Sequence, residues 1–306
     1  MYSYEMTEKW FKDFVDSFKN GGALTPEIER KRTHSYHVSG ICSAIAESLE
    51  WDEENDMWLA KAIGLLHDVG RFPQYDKNKT CNVDWLSFDH GDRGAEILKE
   101  EYPWSDHKIE APDIKKVLTA VRVHNKPEIP GSVSLSTYRW CALIRDADKL
   151  DIFRMVQKRI DNGTFYELFP KSIVENEVVG VLSPVLVESI RTSGKGLYTD
   201  AHSFLDFRLI ELSWALDLNF PVSAETERDE GIFDKTAEDL NGLVGDAVCR
   251  LCGKILGHGA AHGSVLCPCV LHNCGVVYKL SCGFQLGCHV GNHKADALIC
   301  ADGLAK

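Results

Sequence analysis

The first half of this 306-residue chain carries histidines and aspartates whose types and placement suit metal chemistry. Six of them stand near predicted turns or on inward faces of consecutive predicted helices: His34, His67, Asp68, His90, His124 and Asp148. Imidazole nitrogens and carboxylate oxygens together suit iron, manganese, zinc or cobalt ions. Taken singly, each has a structural explanation: His124 alone is better explained as a hydrogen-bonded core residue, and a helix N-terminal cap region explains His90 beside Asp89 equally well. The six together favour a metal site, in which Asp68, adjacent to a histidine, is the natural bridge between two ions.

Apolar residues recur with helical spacing and predict the elements that position these side chains. A stripe between residues 38 and 49 repeats at three- and four-residue steps, which predicts a helix beginning near Pro26. A second predicted helix carries apolar residues 58–66 into His67-Asp68 and ends at Gly70. A helix that starts at Pro112 presents His124 on the same side as its apolar residues. We therefore expect His124 to point inward.

The remaining segments complete a predicted helical domain. Residues 71–87 are polar and irregular, which predicts a surface loop, and another helix is expected to start close to Asp89. The segment 140–153 is apolar nearly all round but contains Asp146, Asp148 and Asp151, which are costly to bury unless positive groups compensate them. A last helix is expected over residues 204–218, ended by Pro221. The pattern predicts an all-α bundle of seven or more helices.

Three of these segments resemble the successive signatures of the HD-domain superfamily of metal-dependent phosphohydrolases. They are RTHSYHV at 32–38, LLHDVGR at 65–71 and ADKL at 147–150, in the order H, HD, D. DHG at 89–91 and HN at 124–125 further resemble the subgroup that adds two histidines and binds two metals. The resemblance is close over about residues 25–160 and extends weakly to about residue 240.

The resemblance implies an all-α HD-domain helical bundle and a dinuclear site. It selects His34 rather than His37 as the first ligand, because the family's histidine stands four residues before a valine. It also selects Asp148, the aspartate that precedes Lys149, and leaves Asp146 and Asp151 to orient a ligand histidine. The implied cofactors are two divalent transition-metal ions, Mn, Fe, Co or Zn. The implied reaction is hydrolysis of a phosphate ester or anhydride, with a nucleotide-like substrate favoured.

Such a reaction needs positive side chains to stabilise the charge of the transition state. Arg71, directly after the HD segment, is the first candidate, followed by Lys149, Lys126 and Arg145. With Asp68, we therefore assign Arg71 and Lys149 as catalytic residues. Two alternatives remain open, because a diiron oxygenase of the same superfamily needs a similar ligand set, and a non-catalytic ligand-sensing module is a third possibility.

Composition limits the partners of the chain. Asp and Glu outnumber Lys and Arg by 46 to 34, which argues against strong nucleic-acid binding and leaves a small phosphorylated molecule as the expected partner. The N-terminus lacks the features of an export signal, and no apolar run in residues 1–244 approaches the ~20 residues that span a bilayer. We therefore expect a cytoplasmic protein that does not enter a membrane. The oligomeric state is not indicated.

The C-terminal part has a different composition. Eight of the 11 cysteines lie within residues 245–306, so we divide the chain into an HD-type domain at 1–244 and a small cysteine- and glycine-rich extension at 245–306. Cys249 and Cys252 have zinc-knuckle spacing, and Cys269 and Cys274 are candidates for the second half of a zinc-ribbon-like structural site. An equally weighted alternative is a disordered tail without function.

Overall fold

The structure is a computed structural model that describes residues 2–78, 84, 87–168, 181–236 and 239–240. Every regular element in these residues is helical, with one isolated bridge between Asn20 and Ala23, which confirms the predicted all-α fold. Two units are distinguished, Met1–Ile152 and Phe153–Lys306. The predicted boundary between residues 244 and 245 stays a prediction, since the cysteine-rich extension and its four candidate zinc ligands lie outside the described residues.

In its described residues the first unit contains seven α-helices, and the last of them continues beyond the boundary of the unit. They are α1 (Tyr4–Asp16), α2 (Pro26–Ser48), α3 (Asp56–Leu66), α4 (Arg71–Asn78), α5 (His90–Glu101), α6 (Ala111–Val123) and α7 (Leu135–Asp161). Hydroxyl and carboxylate side chains cap several of them: Thr25 accepts from the amide of Ile28 at the start of α2, and Asp89 accepts from the amide of Asp92 at the start of α5. The predicted starts near Pro26 and Asp89 are thus confirmed.

Two glycines let the elements that carry the candidate ligands approach closely. A Cβ on Gly64 of α3 would stand 2.6 Å from the Cα of Ser39 in α2, and a Cβ on Gly70 would stand 2.1 Å from the carbonyl oxygen of His90. Both distances are shorter than real Cβ contacts allow, so a side chain at either position would force the backbones apart. The end of α3 therefore lies directly against α2 and against the first turn of α5.

The prediction of a surface loop over residues 71–87 is wrong in its first half. Residues Arg71–Asn78 form α4, in which Phe72 and Gln74 are fully buried. The Phe72 ring packs edge-on against Phe11 of α1, with 5.9 Å between the ring centroids. Pro73 is compatible with this helix because it occupies the first turn, where its missing N–H has no intrahelical partner. Only two inward residues in one short helix leave too weak a periodicity to detect.

The described part of the second unit contains α8 (Pro184–Ser193), α9 (Phe204–Trp214) and α10 (Pro221–Asp229), with short 3₁₀ turns at Phe165–Leu168, Tyr198–Asp200 and Ala215–Asp217. The predicted helix over 204–218 is confirmed, since α9 continues into the 3₁₀ turn and Pro221 begins the next helix. Phe153, Ala215, Ile232 and Phe233 form an apolar core cluster. Among the described residues, no helix has both the length and the apolar character that crossing a membrane requires.

Charged side chains are also buried in the second unit. Arg208 is fully buried, donates hydrogen bonds to Glu211 at 2.7 Å and to Gln157 at 2.9 Å, and forms an ion pair with Asp239. Glu227 is fully buried as well, and neither of its carboxylate oxygens has a hydrogen-bond partner among the described residues. Burying a charged side chain costs free energy unless it is paired, so Arg208 and Glu227 affect the free energy of unfolding of this unit.

Candidate metal centre

All six residues singled out in the sequence come together inside the first unit. His34 lies on α2 and Asp148 on α7, while His67 and Asp68 directly follow α3. His90 is the first residue of α5, and His124 directly follows α6. Five of the six are buried, and Asp148 is the most accessible, with 21% of its side chain exposed. Four of the six residues thus stand at helix ends, where the backbone turns and a side chain can reach inward.

Three of these residues form one compact group. The Nε2 of His34 lies 3.1 Å from Oδ1 of Asp148 and 3.3 Å from Nε2 of His67, and the His67 nitrogen is 3.7 Å from the same Asp148 oxygen. Two ligands about 2.1 Å from one ion lie about 3.0 Å apart at a right angle and about 3.4 Å apart at a tetrahedral angle. The spacing of this group therefore suits one metal ion.

The other two histidines form a second pair that Asp68 links to the first group. The Nε2 atoms of His90 and His124 are 3.0 Å apart, and Oδ1 of Asp68 lies 3.4 Å from the former and 3.7 Å from the latter. Oδ2 of Asp68 instead lies 3.7 Å from Nε2 of His34 and 3.6 Å from Nε2 of His67. Each oxygen of this single carboxylate thus faces one histidine pair.

Backbone carbonyls determine which nitrogen carries the proton in two of the histidines. Nδ1 of His67 donates to the carbonyl of Gly64 at 2.8 Å, and Nδ1 of His124 donates to the carbonyl of Val121 at 2.7 Å. A carbonyl can only accept, so Nδ1 is protonated in both rings and, in the neutral imidazole, Nε2 presents a lone pair to the cluster. Fixing the ring in this way is the usual role of the groups around a metal-bound histidine.

Carboxylates hold the other two histidines in the same manner. Nδ1 of His34 lies 2.6 Å from Oδ2 of Asp151, and Nδ1 of His90 lies 2.7 Å from Oδ2 of Asp84. The same Asp151 also contacts His37 through its other oxygen, at 3.1 Å. The side chain of His37 is 59% exposed, so the structure places His34, and not His37, in the cluster. Asp146 is buried, but neither candidate metal group includes it.

Burial and charge set the protonation states that the cluster adopts. Burial lowers the pKa of His67 to about 4, and burial together with the charge of Arg71 lowers the pKa of His90 to about 3. For His34, burial acts downward, but the hydrogen bonds to Asp148 and Asp151 outweigh it and raise the pKa to about 9. His67 and His90 are therefore neutral at pH 7, while an ion would have to displace a proton from His34.

The carboxylates of the cluster are ionised. Burial alone would raise the pKa of Asp68, but Lys31 and His67 outweigh it and hold the pKa well below its ordinary value. The pKa of Asp148 is likewise lowered, because its hydrogen bond to His34 outweighs burial. Ionised carboxylates and neutral imidazoles are the forms that bind metal. The Nε2 lone pairs of His90 and His124 face each other at 3.0 Å and would repel each other. The histidines and carboxylates of the cluster therefore fit a cation bound between these two rings.

The four basic residues predicted to stabilise the transition state form different contacts. Arg71 donates to Asp84 at 2.8 Å and to Gln74 at 2.7 Å, and its Nε lies 3.8 Å from Asp68. Lys149 is buried on α7, beside Asp148 in the sequence. Lys126 instead pairs with two partly exposed aspartates, Asp89 at 2.7 Å and Asp92 at 2.8 Å.

Arg145, the last of the predicted cations, is engaged with the backbone. It donates to the carbonyls of His124, Lys126 and Pro127, which directly follow α6. These contacts tie α7 to the turn that carries His124. Arg71 thus approaches a candidate ligand, Asp68, whereas Arg145 supports the chain around His124.

Two residues that contact the candidate ligands, Lys31 and Asp84, were not predicted from the sequence. Lys31 places its ammonium 2.9 Å from Oδ2 of Asp68, and Asp84 holds both His90 and Arg71. Lys31 precedes His34 by three residues on one helix, a spacing that puts both on the same face and could have revealed it. Asp84 stands in a stretch without periodicity, so no comparable signal marked it.

Comparison with known proteins finds one family that resembles part of the chain. Residues 32–153 match the family model described as the HD domain, and this match includes all six clustered residues. Neither the curated proteins nor the solved structures contain a match to the chain. The family model does not test the predicted subgroup with two additional histidines, which stays a prediction. The helical fold, the clustered histidines and aspartates and the family match agree that residues 32–153 are similar to the HD domain, whose superfamily consists mostly of metal-dependent hydrolases.

Proposed function

We propose that this chain hydrolyses a phosphate ester or anhydride with a water molecule activated by two divalent ions, and that a nucleotide-like compound is the favoured substrate. The observation that carries the proposal is the position of Asp68, whose two oxygens each face a different histidine pair at 3.4–3.7 Å. A carboxylate in this position is suited to bridge two ions. The family supplies the expected reaction class.

The proposed ligand sets follow from the distances. His34, His67 and Asp148, which lie close enough together to hold an ion, would hold the first one. His90 and His124 would hold the second, with Asp68 shared between the two ions. Bound there, two ions would lower the pKa of a coordinated water and polarise the phosphoryl oxygens. Imidazole and carboxylate ligands accept manganese, iron, cobalt or zinc, so availability decides which ion is bound.

The remaining residues position the ligands and the substrate. Asp151, Asp84 and the carbonyls of Gly64 and Val121 hold the four Nδ1 atoms and direct each Nε2 into the cluster. Asp148 has the most exposed side chain of the six ligand candidates, so we propose that the substrate approaches on its side. Arg71 and Lys149 are the proposed cations for the developing negative charge of the phosphoryl group.

The test compares the metal content of the full-length wild-type protein with that of Asp68→Asn. We expect two manganese or iron ions more per chain in the wild type, and a loss in the variant of more than about 100-fold in metal affinity, beyond the effect of a supporting residue. Because only the difference is counted, zinc bound elsewhere on the chain cancels. Asp113→Asn is the matched control, since Asp113 is also buried but pairs with Tyr2 and Lys116.

Activity is measured on the same proteins with a generic phosphodiester, a phosphomonoester and nucleotides. Release of phosphate or of the alcohol by the wild type and Asp113→Asn, but not by Asp68→Asn, is the expected result. A folded wild type that binds no transition metal, or an Asp68→Asn protein with full metal content and normal turnover, would overturn the proposal. Consumption of dioxygen without hydrolysis would instead favour the diiron oxygenase.

A further inference from the structure

Lys31 lies inside the cluster, although no signature segment of the family resemblance includes it. It stands on α2 one turn before His34, and its side chain is 17% exposed. Its ammonium is 2.9 Å from Oδ2 of Asp68, the oxygen that also faces His34 and His67. A lysine therefore contacts the carboxylate oxygen that the proposed function assigns to a metal ion.

The engagement of Lys31 differs from that of the other nearby cations. Arg71 donates hydrogen bonds to Asp84 and Gln74 and approaches Oδ1 of Asp68 only to 3.8 Å, and Lys126 pairs with Asp89 and Asp92. Within the described residues, the anion that Lys31 contacts is Asp68. An ion bound at Asp68 would repel the ammonium, whereas it would leave the partners of Arg71 and Lys126 in place.

A lysine side chain is suited to respond to such repulsion by moving. Its ammonium is a compact point charge on a flexible four-carbon stem, unlike the planar guanidinium of arginine. The partial exposure of Lys31 and the 21% exposure of Asp148 show that the cluster reaches solvent on this side. The displaced ammonium would therefore stand where an anionic substrate meets the ions.

From this arrangement we infer that Lys31 exchanges one anion for another: it pairs with Asp68 when metal is absent, and it binds an anionic oxygen of the substrate when metal is present. The inference rests on the proposed function and deepens it, because it makes Lys31 both a competitor of the metal and a substrate-binding residue. Removing its charge should consequently strengthen metal binding and weaken anion binding, two effects of opposite sign.

The experiment uses full-length Lys31→Met, which keeps the apolar stem and removes the charge. Calorimetric titration of the metal-free protein with manganese should give about tenfold tighter binding than in the wild type, as the loss of a charged hydrogen bond at Asp68 implies. Titration of the manganese-loaded protein with inorganic phosphate should give about tenfold weaker binding. A merely structural role would not move these two affinities in opposite directions.

Two further variants make the result specific. Arg32→Met removes the next cation of α2, which pairs with Glu29 at the surface, and should change neither affinity. Lys31→Arg keeps the charge and should bind phosphate more tightly than Lys31→Met, which keeps the inference testable if the methionine variant folds poorly. Circular dichroism confirms the folding of each variant before titration.

The outcomes separate this inference from the proposed function. Manganese affinity that does not rise in Lys31→Met, or phosphate affinity that does not fall, overturns the exchange while leaving a hydrolytic wild type intact. A wild-type protein that binds neither manganese nor phosphate overturns both proposals. The opposite changes in Lys31→Met, with unchanged affinities in Arg32→Met, support the exchange.

Discussion

Each unit of the chain has a cluster of buried charged residues, and the pKa values of the carboxylates in these two clusters shift in opposite directions. In the first unit, hydrogen bonds and positive groups such as Lys31 lower the pKa of Asp68 and of Asp148 despite burial. In the second unit, burial raises the pKa of Glu211 to about 7, against the effect of Arg208, and raises that of Glu227 to about 8. The carboxylates of the first cluster are ionised and available to a cation, while at neutral pH Glu227 is mostly protonated and Glu211 is near the midpoint of its titration.

The difference shows that burial of a charge does not by itself mark a site. In the first unit, each of the four candidate ligand histidines is held at Nδ1 and directs its other nitrogen at the same small space. In the described part of the second unit, Glu227 lacks hydrogen bonds and Glu211 has one oxygen without a partner. Convergence of supported donor atoms, rather than burial, distinguishes the candidate metal centre. The following substitutions should therefore affect the two units in different ways.

The largest expected effect comes from Arg208→Met, which leaves Glu211 and Gln157 buried without their donor. Removing one partner of a buried ion pair destabilises a protein by about 3–5 kcal/mol, and urea denaturation followed by circular dichroism should show a loss of this size. Metal content should not change, because the partners of Arg208 in the described residues, Glu211, Gln157 and Asp239, are not candidate metal ligands. Loss of metal from a still-folded Arg208→Met protein would contradict the expectation that metal binding does not depend on Arg208.

A smaller effect, which depends on pH, is expected for Glu227→Gln. The folded pKa of about 8 lies above the unfolded value, so Glu227 retains its proton in the folded protein where the unfolded chain releases it. Its contribution to stability is complete below about pH 4.5 and is lost as the pH rises towards 8, by up to about 1.4 kcal/mol per pH unit.

Glutamine cannot ionise, so the free energy of unfolding of Glu227→Gln should not fall with pH in this way. The stability of Glu227→Gln relative to the wild type should therefore increase from pH 5 to pH 8. Urea denaturation at both values measures the difference, and Glu225→Gln, on the same helix, controls for the removal of a charge. A difference between Glu227→Gln and the wild type that is the same at both pH values would show that Glu227 does not retain its proton on folding.

The smallest effects are expected for Asp84→Asn and Asp151→Asn, which alter the support of the ligands and not the ligands themselves. Each should weaken metal binding by about 10- to 100-fold, the range for residues that orient a metal-bound histidine. Asp84 holds His90 and Asp151 holds His34, so each variant should weaken a different step of a manganese titration. If neither step weakens in either variant, the hydrogen bonds at Nδ1 do not organise the centre.

The helical fold and the ligand candidates could be predicted because both depend on local pattern. Apolar periodicity and capping residues set α2, α5 and α6, and these helices bring His34, His90 and His124 inward. Choosing Asp148 among three aspartates of one buried helix needed the family resemblance, since periodicity cannot rank residues on a helix that is buried nearly all round. In the structure, Asp148 belongs to a group that could hold a metal ion, and Asp151 contacts Nδ1 of His34.

What escaped prediction depends on contacts between distant parts of the chain. The eight residues of α4 contain too few buried positions to show a period, although Phe72 is fully buried by packing that includes Phe11. Asp84 gains its place from His90 and Arg71, which pattern along the chain cannot show. Lys31 had a usable signal, its spacing from His34, but charged residues at that spacing are common on solvated helix faces.

The contacts at Gly64 and Gly70 have a consequence for how the centre can be redesigned. Both are approaches of backbone to backbone, so the separation of the histidine-bearing elements is set by the main chain. Exchanging one ligand type for another should therefore retune metal preference without moving the helices. A single added methyl group at Gly70, by contrast, would push α5 and His90 away from Asp68 and change the distance between the two halves of the centre. The chemistry of this scaffold is thus adjustable at its side chains, while its dimensions depend on two positions that have no side chain.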